Sequence, residues 1–274
     1  MVNTQEFTRR VRFDLRFRRL EVRHIEQLTP NYVRVVAGGD ELDGFQSLDP
    51  HDHVKLILPA PGETEPVLPT SAEDGIHWPE GVARPAMRDY TPRFVDADRN
   101  ELTIDFVLHE DGLASNWARQ AAPGHIIGTA GPRGSQIFNY DAFDWFLTGG
   151  DETSIPSIAR RLEAVPAGKR VFAFIEVNGP EDEQELASEA DATVTWVHRN
   201  GAAAGHTDVL EQALRAFTIP DGDGYLWFTG EANTLRGIRR LVLNEKGIDK
   251  SRANFSGHWK VGTTDFDHHE PIAD

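Results

Sequence analysis

The sequence predicts a two-domain protein, an antiparallel β-barrel followed by a doubly wound, mostly parallel α/β sheet, and three observations predict it. Period-two apolar alternation broken by tight turns fills the first half. From about residue 143, short apolar runs alternate with segments at helical spacing. The length, 274 residues, suits two domains that can each bury a core. The boundary is expected near residue 142, giving domains 1–142 and 143–274. No internal repeat is present.

The elements follow in order. Leu15 and Phe17, then Val22 and Ile25, then Tyr32, Val33, Val35 and Val36, and later Val54, Leu56, Ile57 and Leu58 read as strands. Thr29–Pro30–Asn31 and Gly38–Gly39–Asp40 supply the turns between them. Residues 59–87 carry Pro59, Pro61, Pro66, Pro69, Pro79 and Pro85 with several glycines, which predicts an irregular excursion and no helix. The alternation Leu102, Ile104, Phe106, Leu108 predicts a strand to His109, and Gly112 opens a short helix through Leu113–Ala118. Ile126–Thr129 is the last strand of this half.

In the second half, Trp145–Leu147 runs into Gly149–Gly150 and a helix with Ile155, Ile158, Ala159 and Leu162. Val171–Ile175, Val194–Val197 and Tyr225–Phe228 are three further buried-strand candidates. Helices are expected at Glu183–Glu189, at Asp208–Phe217, and after Thr229–Gly230–Glu231 with Leu235, Ile238, Leu241 and Val242. A parallel sheet of this kind places its ligand at the carboxyl ends of the strands.

Composition narrows the function classes. A net charge of −16 argues against a general nucleic-acid binder, which needs a basic face, so any anionic ligand requires a local basic pocket. The acid runs Glu181–Glu185 and Asp265–Asp274 read as solvated faces. No stretch approaches the roughly 18 apolar residues of a membrane span, and the start does not read as a secretory signal. The absence of cysteine excludes disulfides, thiolate metal sites, cysteine-ligated iron–sulfur clusters and a cysteine nucleophile. The cytoplasm is the expected location. No Walker or G-x-S-x-G sequence occurs. His51–Asp52–His53 and Asp267–His268–His269–Glu270 have ligand residue types without metal-site spacing, so no metal is expected.

One cluster carries specific chemistry: Arg88, Asp89, Tyr90, Thr91, Pro92 and Arg93. An arginine forks onto phosphate, a tyrosine lies flat on a ring, and a hydroxyl bonds a ring nitrogen, which together suit a flavin nucleotide. Arg93 is a candidate either for salt bridging or for the substrate side. Gly149–Pro156 turns the first strand of the second half into its helix. Its free backbone donors suit a pyrophosphate, while the alternative is a plain cap by Asp151 or Thr153. Asp151 and Glu152 suit orienting a turn or hydroxyl better than holding phosphate.

These residues carry a family resemblance. The barrel-then-α/β order, Arg88–Arg93, His109 with Gly112, Ala114, Ser115 and Trp117, Gly131–Pro132–Arg133–Gly134, Gly150–Thr153 and Thr229–Gly230–Glu231 resemble the siderophore-interacting flavoprotein family. That family belongs to the ferredoxin reductase-like superfamily. Arg10–Arg18 and Leu42–Phe45 look like its NADPH-dependent ferric-chelate reductase branch.

The resemblance implies an FAD-binding barrel and an NAD(P)H-binding second domain. It maps Arg88 to the flavin diphosphate, Tyr90 to the isoalloxazine face and Thr91 to the ring nitrogen that takes the hydride. His109, Ala114, Ser115 and Trp117 look like the second flavin-binding segment, although Glu110 stands where much of the family has glycine. Asp151, Thr153 and Glu231 fall in the nucleotide-binding turns. Trp259, followed by Lys260, sits where relatives carry an aromatic near flavin and nicotinamide. Lys55 and Arg133 are implied as holders of an anionic iron chelate.

The implied activity is reduction of a ferric siderophore or other ferric chelate by NADPH through FAD. NADH is an alternative donor, with Arg199 a candidate for a ribose phosphate. No further catalytic group, no nucleic acid and no membrane insertion are expected. A flavin or ferredoxin reductase with a protein partner, and a non-catalytic siderophore binder, are the alternatives.

Overall fold

The computed structural model describes residues 7–72, 75–109, 112–264, 266–267 and 271–272. The expectations attached to Glu110, Asp265, His268–Glu270 and Asp274 lie outside the described residues. The chain divides into two compact units, one of Arg9–Ile137 and one of Phe138 onward joined by Phe7 and Thr8.

In the first unit the strands are β1 (Thr8–Arg12), β2 (Phe17–Thr29), β3 (Tyr32–Gly38), β4 (Val54–Ile57), β5 (Thr70–Ala72), β6 (Gly75–His77), β7 (Met87–Tyr90), β8 (Pro92–Asp96) and β9 (Glu101–Val107). Helix α1 (Leu113–Gln120), β10 (Ile126–Ala130) and β11 (Gly134–Phe138) follow. Seven strands form one antiparallel sheet in the order β7-β4-β10-β2-β3-β9-β8. Its two outermost strands, β7 and β8, are joined by Thr91 alone, so the sheet curls back on itself as a barrel does. The expected excursion at 59–87 is irregular except for the small hairpin β5–β6.

Alternation fills the interior. Leu20 and Val22 of β2, Val33 and Val35 of β3, and Leu102, Ile104 and Phe106 of β9 are buried in one cluster, each contributing about 1.5–3 kcal/mol by burial. On the other face of β9, Asp105 receives two 2.8 Å bonds from Arg34, a forked pair that fixes the β3–β9 register. Asp52, between the two histidines considered for metal, is structural: its carboxylate accepts from Ser47, Ser135 and the Asp49 amide.

The second unit contains β12 (Trp145–Asp151), α2 (Ile155–Ala164), β13 (Arg170–Val177), β14 (Asp191–His198), α3 (Val209–Ala216), β15 (Gly224–Glu231), α4 (Ala232–Arg240) and β16 (Ala253–Trp259). The sheet is parallel throughout, in the order β14-β13-β12-β15-β16. Both faces are covered, as a parallel sheet requires. Leu147, Leu226 and Phe228 pack with Leu210, Leu214, Leu235 and Ile238 on one side. Phe146 and Trp227 join Phe138 and Phe143 in an aromatic cluster on the other, where Arg161 of α2 lies 3.8 Å above Trp227.

Two expectations are corrected. The helix at Glu183–Glu189 does not form; Pro180–Asp182 makes one tight turn and the chain then runs without regular structure to β14. The connection must return the length of β13, about 26 Å for eight residues, whereas a seven-residue helix spans about 10 Å. Ser188 holds the extended segment by donating to the Leu162 carbonyl at 2.7 Å. The fifth strand, β16, escapes an apolar-run reading because Asn254, Ser256 and His258 interrupt it at an edge of the sheet.

Candidate functional site

The first-unit site forms where β7 pairs with β4. The register sets Tyr90 opposite Val54, Asp89 opposite Lys55 and Arg88 opposite Leu56. Successive side chains alternate between faces, so Arg88 and Tyr90 share the face that carries Val54 and Leu56. The Tyr90 ring lies 4.6 Å from Phe106, which lies 5.5 Å from Trp117, an aromatic ladder that fixes the phenol plane. Burial pushes the Tyr90 hydroxyl pKa above its ordinary value, so the ring stays neutral.

Helix α1 supplies the adjoining feature. It starts after Gly112 with no side-chain cap. A β-carbon on Gly112 would meet the His109 ring at 2.4 Å, which is why glycine stands there. The Ser115 hydroxyl accepts from the His109 amide at 2.9 Å and donates to the His109 carbonyl at 2.8 Å. Ala114 and Trp117 pack into the core. The helix start is therefore left with backbone donors, and these with Arg88 and the Tyr90 face fit a flavin diphosphate and ring.

Lys55 and Asp89 occupy the opposite face from Arg88 and Tyr90. The Lys55 ammonium bonds both Asp89 oxygens at 2.9 and 3.0 Å, so it is ion-paired although 46% exposed. Lys55 also pairs across with Ala130, three residues before Arg133, which is exposed in the Gly131–Gly134 turn. Arg93 is buried, its guanidinium 3.9 Å above Phe94, and the register slips between Pro92 and Phe94.

The second-unit site lies at the carboxyl ends of the parallel strands, at the neighbouring pair β12 and β15, where the strand order reverses. Gly149 and Gly150 make the floor: a β-carbon on Gly150 would meet the Thr229 carbonyl at 2.2 Å and Ser154 Oγ at 2.4 Å. The Ser154 hydroxyl is buried without a partner among the described residues. This close backbone, opening into α2 with Pro156 in its first turn, fits a dinucleotide pyrophosphate.

Asp151 is a junction. Its Oδ1 accepts from the Thr153 amide at 2.9 Å and hydroxyl at 2.5 Å, and its Oδ2 from the Glu231 amide and Trp259 Nε1, both at 2.8 Å. It thus orients a turn and a hydroxyl and ties together β12, β15 and β16. Burial raises its pKa, and the bonds from Thr153 and Trp259 oppose that. Glu231 caps α4 by accepting from the Thr234 amide at 2.7 Å and also accepts from the Val261 amide at 3.1 Å.

Glu176, at the end of β13, was not foreseen. It is 3% exposed and accepts from Thr207 Oγ1 at 3.3 Å and Arg199 Nη1 at 3.5 Å. Burial raises its pKa to about 7 against the pull of Arg199, with Asp151 and Glu152 adding to the rise. The acid closing the apolar run Val171–Ile175 at a strand's carboxyl end was the available signal. Arg199, considered for a ribose phosphate, closes its fork on Glu152 at 2.6 and 2.8 Å, and its Nε donates to the Ala202 carbonyl. Burial lowers the Arg199 pKa, but the Glu152 bonds outweigh it and hold the group charged. Asp151, Glu176, Gly205, Thr229 and Glu231 line a cavity of about 10 Å³, room for one water-sized group. Among the described residues, no cluster of three or more His, Cys, Asp or Glu is placed to hold a metal.

Residues 21–136 match the siderophore-interacting FAD-binding domain and residues 143–262 the siderophore-interacting protein family. The chain is 37% identical over 262 residues to the NADPH-dependent ferric-chelate reductase of Escherichia coli, covering 94% of this chain and 99% of the relative. It is 30% identical over 246 residues to the ferric vibriobactin reductase of Vibrio cholerae, covering 89% of each. The crystal structure of a siderophore utilization protein from T. fusca superposes with a TM-score of 0.88 at 40% identity, covering 96% of this chain and 99% of that one.

Proposed function

The chain belongs to the siderophore-interacting protein family, and on that premise we propose that it is an FAD-dependent ferric-chelate reductase that uses NADPH to reduce Fe³⁺ in a siderophore and release it as Fe²⁺. The observation that carries the reading is the pairing of Arg88 and Tyr90 on one face of β7, backed by the Phe106–Trp117 ladder, inside a domain of the FAD-binding family.

Bound FAD would accept an electron pair from the nicotinamide and release electrons singly, which a ferric acceptor requires. The chain's own residues bind and orient. Arg88 and the uncapped start of α1 would hold the flavin diphosphate, Tyr90 the ring face, and Thr91 the ring nitrogen. Gly149, Gly150 and the start of α2 would take the dinucleotide, with Asp151 fixing Thr153 and Trp259 beside it. Arg133 would offset the repulsion between an acidic protein and an anionic chelate, with Lys55 joining it once the incoming anion displaces Asp89. Hard oxygen donors hold ferric iron far more tightly than ferrous, so reduction loosens the chelate. Among the described residues no helix is long and apolar enough to cross a membrane. We place the reaction in the cytoplasm, where the NADPH donor is held.

An anaerobic titration tests this. Purified protein should be yellow, NADPH should bleach the flavin absorbance, with NADH as the comparison donor, and a ferric siderophore should restore it. Tyr90→Ala and Arg88→Ala should lose flavin. A colourless protein, or one whose flavin content ignores both substitutions, removes the clamp. Reoxidation by an iron–sulfur carrier but not by a ferric chelate would make it a carrier reductase. Chelate binding without NAD(P)H oxidation would make it a binding protein.

A further inference from the structure

The carboxyl ends of β12, β13 and β15 gather four acids. Asp151 closes β12 and pairs in register with Glu176 near the end of β13, Glu231 closes β15, and Glu152 opens the turn after β12. Arg199, just past β14, bonds to Glu152 and Glu176. With all four acids ionised, the group would outweigh that guanidinium by three charges, so one member is under pressure to keep its proton.

The geometry points to Glu176 as that member. Asp151 accepts from Thr153, Glu231 and Trp259 at 2.5–2.9 Å, and Glu152 takes the Arg199 fork at 2.6 and 2.8 Å. Glu231 accepts from the Thr234 and Val261 amides and from Asn233 Nδ2 at 2.7–3.1 Å. Glu176 has Thr207 Oγ1 at 3.3 Å and Arg199 Nη1 at 3.5 Å, the longest bonds of the four, and is 3% exposed. A buried carboxyl so thinly supplied with donors favours its neutral form, in keeping with a pKa raised to about 7. Of the other elements around it, α3 presents Leu210 and α4 presents Thr234 and Leu235. His206 and Asp208, on either side of Thr207, are exposed, and His258 of β16 reaches only Thr153 Oγ1, at 3.4 Å.

This group adjoins the turn that fits a dinucleotide. Glu176 lies one strand, about 5 Å, from Asp151, and Asp151 directly follows Gly150. A pyrophosphate brings negative charge to that turn. The cavity of about 10 Å³ against Glu176 has room for one water-sized group, so the incoming charge is poorly screened from the carboxyl. Ionisation of Glu176 then costs more with the nucleotide bound than without it.

We propose that Glu176 couples nucleotide binding to proton uptake: its carboxyl takes a proton from solvent when the dinucleotide occupies the Gly149–Gly150 turn and returns it on release. The coupling is reciprocal, so dinucleotide affinity falls as the pH rises through the range in which Glu176 ionises. The assignment rests on the dinucleotide reading of the second unit and extends it to regulation by pH. Glu176 acts here through its charge and touches no reacting atom.

Calorimetry of NADP⁺ binding to the flavin-loaded protein tests this, run in PIPES and in imidazole, whose different ionisation heats reveal the proton count. NADP⁺ occupies the site without reducing the flavin. Its 2′-phosphate titrates at about pH 6 and contributes alike to parent and variant, so the difference between the parent and Glu176→Gln is read. A nucleotide that disfavours the ionised carboxyl tenfold gives uptake of about half a proton near pH 7.5 and an affinity that falls about eightfold between about pH 6 and 9. The parent should show both and Glu176→Gln neither. Equal proton counts in the two overturn the proposal. Infrared difference spectra of the parent need no variant: NADP⁺ should increase a protonated-carboxyl band that shifts on carbon-13 labelling of glutamate, and no increase overturns the proposal. A parent with Glu176-dependent uptake that fails to reduce a ferric chelate keeps the coupling and removes the reductase. One that reduces the chelate without such uptake keeps the reductase and removes the coupling, and one that binds no NADP⁺ removes both.

Discussion

Replacing Glu176 with glutamine removes a titrating group from the interior of the second unit while keeping its shape and its acceptor oxygen. Its carboxyl pKa is raised from the ordinary 4.5 to about 7, chiefly by burial. The folded state therefore binds this proton more tightly than the unfolded chain does. The resulting stability is fully present below pH 4.5 and is lost as the pH rises through 7. At about 1.4 kcal/mol per pH unit, the gap amounts to about 3 kcal/mol. Glutamine has no proton to lose, so the variant escapes that decline. Four of the six tryptophans, Trp145, Trp196, Trp227 and Trp259, lie in the second unit and report its unfolding. Urea melts followed by their fluorescence should show Glu176→Gln gaining on the parent by about 3 kcal/mol between pH 4.5 and 8. A difference that stays constant with pH would refute the argument, because it would mean that the Glu176 carboxylate loses nothing when it ionises in place.

Three further outcomes follow from the same site. Arg199→Leu strands Glu152 and Glu176, and should destabilise the second unit by about 3–5 kcal/mol at pH 8; the loss should shrink near pH 5 as the raised carboxyls protonate. Gly150→Ala drives a methyl against the Thr229 carbonyl and should lower stability by about 1–3 kcal/mol, read as a thermal shift of about 2–4 °C per kcal/mol. Glu231→Ala removes the cap on the Thr234 amide and should cost about 1–2 kcal/mol, with faster hydrogen exchange at the start of α4.

The parts of the fold that were legible in the sequence are those where a residue's environment is set by its near neighbours. The run Leu102–Ile104–Phe106 alternates because one face of β9 is interior, and Gly149–Gly150 marks a turn because backbone approaches backbone there. Asp151 was readable as an orienting group because an acid beside a helix start has few other roles. Partners brought by the sheet were not readable. Lys55 reads as a free cation until the β4–β7 register sets it opposite Asp89. Arg199 reads as available until Glu152, 47 residues earlier, closes on it. The acids of Glu183–Glu189 favour a helix locally, but the reach of the crossover overrides them. Arg18 looks like one more exposed basic residue of a basic start, and only the pleat of β2 turns it inward.

The strand pairing that gives Phe7 and Thr8 to the second unit bears on how the protein is made. Asn139 donates its amide to the Phe7 carbonyl at 2.9 Å, and the Phe7 ring stacks edge-on against Phe143 at 4.8 Å. All of Arg9–Ile137 is therefore an insertion between two neighbouring pieces of the other unit. On the ribosome, the whole barrel is synthesised before Phe143, so Phe7 waits for its partner through the synthesis of an entire domain. Prior folding of the barrel shortens that wait, because β1 beside β11 already brings Arg9 close to Ile137 and turns a long loop closure into a short one. The order of synthesis thus favours completing the barrel first, with the α/β sheet built afterwards onto a terminus already held in place.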